Sequence, residues 1–361
     1  MKRITFPDFD NYLRIMGRCY KSEEEALLWF NWTLCGFEMR FRGKSLKACF
    51  AAMDEQMTAP FEHEPITLSP VIGWHTDKGD LQRHKLTGKE QWVEIFCGEE
   101  GEHSALIRKI SENVMGKCAL IALETDGEFL PPPPPKALQL EFVGDSITCS
   151  YGNESTTDGF KTEEENSEIG YAHLAARELS ADLSIIAVTG CSVNEPIFFS
   201  RMINRGMLSM YANVDTPLER KKGKDSFRKH DFADNPKDAI IINLGTNDAN
   251  ECSNMGFPED YPEYFRKSYR ELIELIRREN GPQPWIICTL GSMDYYLWDE
   301  IISVASAYAN ESGDKRIVWE KLGKLNTMTE GIGADGHPSK VSHERMGKEM
   351  AKIIRKTLGI G

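Results

Sequence analysis

Residues 131–135 are five consecutive prolines. Proline locks φ and has no N–H to donate, so such a run joins neither a helix nor a central strand, and it favours a stiff extended spacer. The chain must therefore fold as separate units on either side of it. A length of 361 residues accommodates two. The expected organisation is a first domain over 1–130, a proline-rich linker over 131–136 and a second domain over 137–361.

The hydrophobic period differs across that boundary. Upstream, Phe37-Glu38-Met39-Arg40-Phe41-Arg42 alternates apolar and charged residues, the pattern of a half-buried strand. Gly43-Lys44 reads as a tight turn before a second strand at 46–50. Further strands are expected at 91–97 and 117–124. Short strands separated by turn residues predict a β-sandwich. Downstream, apolar strands at 138–143, 183–188, 239–244, 285–290 and 316–319 alternate with helical stretches at 168–179, 261–279 and up to about 309. A last helix runs from an N-cap at Ser339 to Leu358. This alternation predicts a parallel sheet covered on both faces, with chemistry at the C-terminal ends of its strands.

Composition narrows the function. The 56 acidic residues exceed the 43 basic ones, for a net charge of −13. That balance opposes sequence-independent nucleic-acid binding and docking on an anionic membrane. No run approaches the ~18 apolar residues of a membrane-spanning helix. No apolar leader follows Lys2-Arg3, so a cytoplasmic protein is expected. Nine cysteines, with no pair at C-x-x-C spacing, predict reduced core thiols rather than disulfides or a zinc site. Neither metal nor cofactor is expected. A small molecule or an oligosaccharide is the expected partner, and a homo-oligomer stays open.

A polar block follows each of the first three apolar strands. Gly144-Asp145-Ser146 follows the first, Gly190-Cys191-Ser192 the second and Gly245-Thr246-Asn247-Asp248 the third; Asp335-Gly336-His337 precedes the last helix. The set suits acyl transfer. A serine hydroxyl needs a base, a loop histidine is the usual one, and a carboxylate orients it. Ser146 is the expected nucleophile, His337 the base and Asp335 the acid. The N–H groups of Ser146 and Gly190 and the side-chain amide of Asn247 are the expected oxyanion donors. Glycine at 190 leaves room for substrate against the backbone. Asp145, Asp248, His173 and His343 are read as structural, Cys191 as a small buried side chain, and the acidic run 163–165 as a solvated loop. Trp298 is the candidate for stacking on a sugar ring.

Those four blocks, in that order, resemble the SGNH (GDSL-type) hydrolases. The proline linker and the string Phe142-Val143-Gly144-Asp145-Ser146-Ile147-Thr148-Cys149-Ser150-Tyr151-Gly152 are similar more narrowly to carbohydrate esterase family 2. The resemblance implies an N-terminal jelly roll, a C-terminal flavodoxin-like sheet, no metal, and removal of acetyl groups from xylan and other sugars through an acyl-enzyme. The spacing Asp335-Gly336-His337 is one residue tighter than the superfamily's usual Asp-x-x-His. Some family 2 members use a backbone carbonyl in place of the acid. Gly336 stands where some relatives carry a sugar-stacking tryptophan. The rival readings are a lipolytic esterase or thioesterase of the same class, and a carbohydrate-binding protein with a vestigial esterase domain.

Overall fold

The structure, a computed structural model, describes residues 1–57, 65–77, 79–159, 161–196 and 206–360. The chain divides into two compact units, Met1–Pro135 with Gly159–Ser167, and Lys136–Asp158 with Glu168–Gly361. Residues 131–136 carry no regular structure, in keeping with their prolines.

The first unit is a curled antiparallel sheet of ten strands, of the β-sandwich kind expected. Its spine is two long paired strands, Gly36–Met53 and Gln91–Lys109. The first of these changes neighbours along its other edge. It pairs with Leu13–Met16 at its start, with Glu128–Leu130 in the middle and with Lys117–Thr125 at its end. A strand that serves different partners at its two ends bends the sheet over a shared core. The alternation read from the sequence marks that core. Phe37, Met39 and Phe41 are fully buried, and Phe30 packs edge-on to Phe37 with ring centroids 5.6 Å apart.

Three sequence expectations need correction here. Gly43-Lys44 is not a turn but the middle of a continuous strand. Gly43 faces Gly101 beside a register shift, and the Asp126 carboxylate accepts the Lys44 and Ser45 N–H groups at 2.9 and 3.0 Å. A local bulge thus absorbs the glycine that sequence alone reads as a reversal. The run 163–165 is not wholly solvated. Glu165 is fully buried, accepting the Glu112 N–H at 2.5 Å, and Glu163 pairs with Lys85. Burial raises the Glu165 carboxyl well above the usual range, with the Glu112 charge adding to it. Finally, Cys97 is exposed, whereas seven of its fellows are buried. Val93 and Ile95 are buried, so strict alternation would turn Cys97 inward, but the register shift between Glu94 and Phe96 changes the phase and leaves it on the outer face.

The second unit holds a five-stranded parallel sheet. Its spatial order is Asp182–Ala187, Gln139–Gly144, Ala239–Asn243, Trp285–Thr289 and Ile317–Trp319. This is the flavodoxin-like order 2-1-3-4-5, which brings the ends of the first three strands together. Every residue of Ala239–Asn243 is buried, as a central strand covered on both faces requires. The helix Tyr261–Asn280 packs on Trp298–Ser312, and Tyr171–Glu178 packs on Lys340–Leu358. Ser339 caps the last helix as expected, its hydroxyl accepting the Ser342 N–H.

Candidate active site

The strand Gln139–Gly144 ends directly on Asp145, which caps a one-turn helix, Ser146–Cys149, by accepting the Ile147 N–H at 3.0 Å. The turn is tight because Gly144 has no side chain: a Cβ there would lie 2.1 Å from Thr148 Oγ1. Ser146 is therefore presented at the first position of a helical turn at the sheet's C-terminal edge. There its Oγ lies 2.8 Å from His337 Nε2.

The loop bearing His337 comes from the far end of the chain. His337 Nδ1 lies 3.0 Å from the carbonyl oxygen of Ala334. A carbonyl only accepts, so Nδ1 carries the proton and Nε2 is left to accept from the serine hydroxyl. That tautomer is the one a general base needs. Burial holds His337 below the ordinary histidine pKa, while the Ala334 carbonyl and the Asp335 charge pull the other way.

Asp335 is the sequence expectation that the structure corrects. Its carboxylate accepts from the Tyr151 hydroxyl at 2.6 Å, and the group that holds Nδ1 is the main chain of Ala334. The physical reason is the tight spacing. Asp335 sits in a left-handed conformation (φ 50°, ψ 36°) in a single 3₁₀ turn, Ala334–Gly336, whose first carbonyl meets the imidazole. The Asp335 N–H is tied to Asp158 Oδ1 at 2.9 Å.

The remaining blocks converge on the same edge. Asn247, in the first turn of the helix Thr246–Asn254, donates its amide to the Cys191 carbonyl at 3.0 Å and to Asp145 Oδ2 at 3.3 Å. It thus bridges the neighbour of Ser146 and the neighbour of Gly190. Both amide hydrogens already have acceptors, so the oxyanion contact expected of Asn247 would require exchanging one of them. Asp248 accepts the Val193 N–H through both carboxylate oxygens at 3.2 Å. Burial pushes it up to about 8, aided by the Glu251 and Asp145 charges. That contact steadies the loop that carries Gly190, which itself adopts φ 75°.

Trp298 is half-buried at the start of its helix, with the Lys321 ammonium 5.9 Å above its ring. Among the described residues no hydrogen bond or ring contact links it to Ser146 or His337. The exposed aromatic of that segment is Tyr296, packed edge-on to exposed Phe257 at 5.4 Å. His343 is buried, its Nδ1 accepting the Tyr171 N–H at 3.2 Å while its ring stacks on Tyr171. Sequence reasoning did not name Ala334 or Tyr151. The shortened spacing from Asp335 to His337, and the backbone carbonyl that the resemblance offers in place of the acid, pointed toward Ala334; nothing in the sequence pointed to Tyr151.

The chain is similar to several known proteins. The family model described as GDSL-like lipase/acylhydrolase matches residues 142–343. The cellulase/esterase CelE of Acetivibrio thermocellus is 29% identical over 300 residues, covering 78% of this chain and 34% of CelE, so the match spans about a third of that relative. An acetylxylan esterase / glucomannan deacetylase of Cellvibrio japonicus is 25% identical over 367 residues, covering 98% of this chain and 91% of the relative. Among solved structures, a family two carbohydrate esterase from Clostridium thermocellum in complex with cellohexaose aligns with a TM-score of 0.81 at 24% identity, over 96% of this chain and 99% of that one. An acetyl xylan esterase from the rumen bacterium Butyrivibrio proteoclasticus aligns with a TM-score of 0.84 at 20% identity, over 99% of this chain and 98% of that one. These structural likenesses establish the two-domain fold.

Proposed function

The chain belongs to the GDSL-like lipase/acylhydrolase family, and from that premise we propose that it is a serine esterase removing acetyl groups from carbohydrates. The observation that carries the reading is the 2.8 Å approach of Ser146 Oγ to His337 Nε2, with the Nδ1 proton already held by Ala334. In the proposed reaction, Ser146 Oγ attacks the acetyl carbonyl carbon as His337 takes its proton. Negative charge gathers on the carbonyl oxygen, where the N–H groups of Ser146 and Gly190 and the Asn247 amide stabilise it. His337 then gives the proton to the departing sugar oxygen. Water, deprotonated by the same imidazole, releases acetate from Ser146.

The carbohydrate part of the reading is supported by the relatives, whose names speak of acetylxylan, glucomannan and cellulase/esterase. The exposed pair Tyr296 and Phe257 supplies apolar ring faces of the kind that suit a pyranose, and we assign them that stacking role in preference to Trp298. A cytoplasmic location is proposed on the nine unbridged thiols; cell fractionation tests it. For the activity, the deciding experiment is product mapping by NMR on acetylated xylo-oligosaccharides, with wild type and Ser146→Ala side by side. Acetate release should fall by at least ~10³ in the variant, as loss of a nucleophile requires. A folded Ser146→Ala that keeps a tenth of wild-type turnover would refute the assignment.

A further inference from the structure

Tyr151 lies five residues beyond the nucleophile and is almost fully buried. Its backbone N–H donates to the Ser146 carbonyl at 3.0 Å. Its hydroxyl donates to Asp335 Oδ2 at 2.6 Å, and its ring meets the His337 imidazole edge-on, with centroids 4.7 Å apart and planes at 67°. The next two residues hold the same loop. The Gly152 carbonyl accepts the Ala334 N–H at 3.1 Å, and the Asn153 carbonyl accepts the Lys340 N–H at 3.0 Å. The packing is close: Gly152 adopts φ 54°, and a Cβ on it would fall 2.4 Å from the Ala334 Cβ. The segment behind the nucleophile thus grips the loop of the base, and the first residue of the helix that follows it, at three successive residues.

A carboxylate is a stronger acceptor for an imidazole N–H than a peptide carbonyl. Asp335 lies two residues from His337 and is exposed, so an untethered side chain would compete with Ala334 for the Nδ1 proton. We propose that Tyr151 is a positioning residue that selects the acceptor of the base: its hydroxyl engages the Asp335 carboxylate, keeps that group off Nδ1, and leaves His337 oriented by the Ala334 carbonyl. The inference rests on the Ser146–His337 reading and adds to it. Its functional consequence is a base that stays neutral to lower pH than one bonded to a carboxylate, so that turnover extends further into acid. The titratable groups around the imidazole are Ser146 at Nε2, Tyr151 on its face, Asp335 beside it and His343, whose charge state it influences. Asp158 holds the Asp335 N–H.

The test is the pH profile of kcat/KM on 4-nitrophenyl acetate for wild type, Tyr151→Phe, Asp335→Asn and the double variant. Tyr151→Phe keeps the ring and removes the hydroxyl's bond to Asp335. Its acid limb should move to higher pH by about half a unit, a threefold change in proton affinity, with KM within roughly twofold. Adding Asp335→Asn should abolish that upward shift. A limb within about 0.1 unit of wild type, or an upward shift that persists in the double variant, would overturn the proposal. A purely structural role moves stability and kcat but has no reason to depend on the Asp335 charge. Should Tyr151→Phe fail to fold, the His337 Nδ1–H resonance decides the matter: it should stay protonated and hydrogen-bonded in Asp335→Asn, and its loss there would sink the proposal. Failure of the esterase reading shows differently, as turnover insensitive to Ser146→Ala, and leaves this resonance test intact.

Discussion

His337 and Ala334 are joined by a 3.0 Å contact between the imidazole Nδ1 and the peptide carbonyl oxygen. That bond does in main chain what a third catalytic side chain does elsewhere: it chooses the tautomer and aims Nε2 at Ser146. It differs in charge. A neutral carbonyl orients the imidazolium but stabilises it less than an anion would, and burial already disfavours the charged ring. Four consequences of these contacts can be measured.

Asp335→Asn should lose less than ~10-fold in kcat, against the ~10⁴ that removal of a buried triad acid can cause. Asparagine can still accept from Tyr151, so the loop geometry survives. The acid limb of the pH–rate profile should move to lower pH, because the Asp335 charge favours the imidazolium and its removal takes that support away. A kcat below a hundredth of wild type, in a variant of unchanged melting temperature, would restore Asp335 as the working acid.

The wild-type acid limb should itself lie below pH ~6.5, the ordinary histidine value. The cause is desolvation, which makes protonation of His337 harder in the folded enzyme. A limb above pH ~7 would mean that a nearby anion, and not burial, governs the base.

Asn247→Ala should lower kcat by ~10²–10³ with little change in KM, since an oxyanion donor acts chiefly on charge developed in the transition state. In the structure the same amide bridges Asp145 and Cys191. A rise in KM at constant kcat would assign Asn247 to ground-state binding instead.

His343 offers a stability test away from turnover. It is buried and neutral, and desolvation pushes it down to about 3, with the His337 charge adding to the effect. The sign follows from proton binding. The unfolded chain takes up a proton below pH ~6.5 while the folded chain refuses it, so the stability contributed by the neutral ring is lost as pH falls through that range. The term reaches roughly 3 kcal/mol at pH 4. His343→Gln should therefore be less acid-sensitive than wild type between pH 7 and 4, by urea midpoint. Equal acid sensitivity of the two proteins would count against a buried neutral histidine.

Much of this protein is legible in its sequence because the governing forces are local. Five prolines exclude regular structure wherever they stand, and the main segment of the first unit ends on the last of them, although 159–167, which the sequence assigns to the second domain, belong to the first unit. Alternation at Phe37–Arg42 and the apolar runs read at 138–143 and 239–244 report burial directly, since each side chain's face is set by the strand's own period. Gly144-Asp145-Ser146 and His337 announce chemistry by side-chain type, and the fold brings them to 2.8 Å. Only the tertiary structure decided the rest. Gly43 bends a strand instead of reversing it because Gly101 and Asp126, remote in sequence, complete the bulge. Glu165 is buried with its carboxylate on the N–H of Glu112, 53 residues away. Tyr151 meets Asp335 across 184 residues, a pairing that no local period encodes. The acceptor of the base is a peptide oxygen, which every residue carries, so its choice depends on where the chain passes and not on which residue stands there.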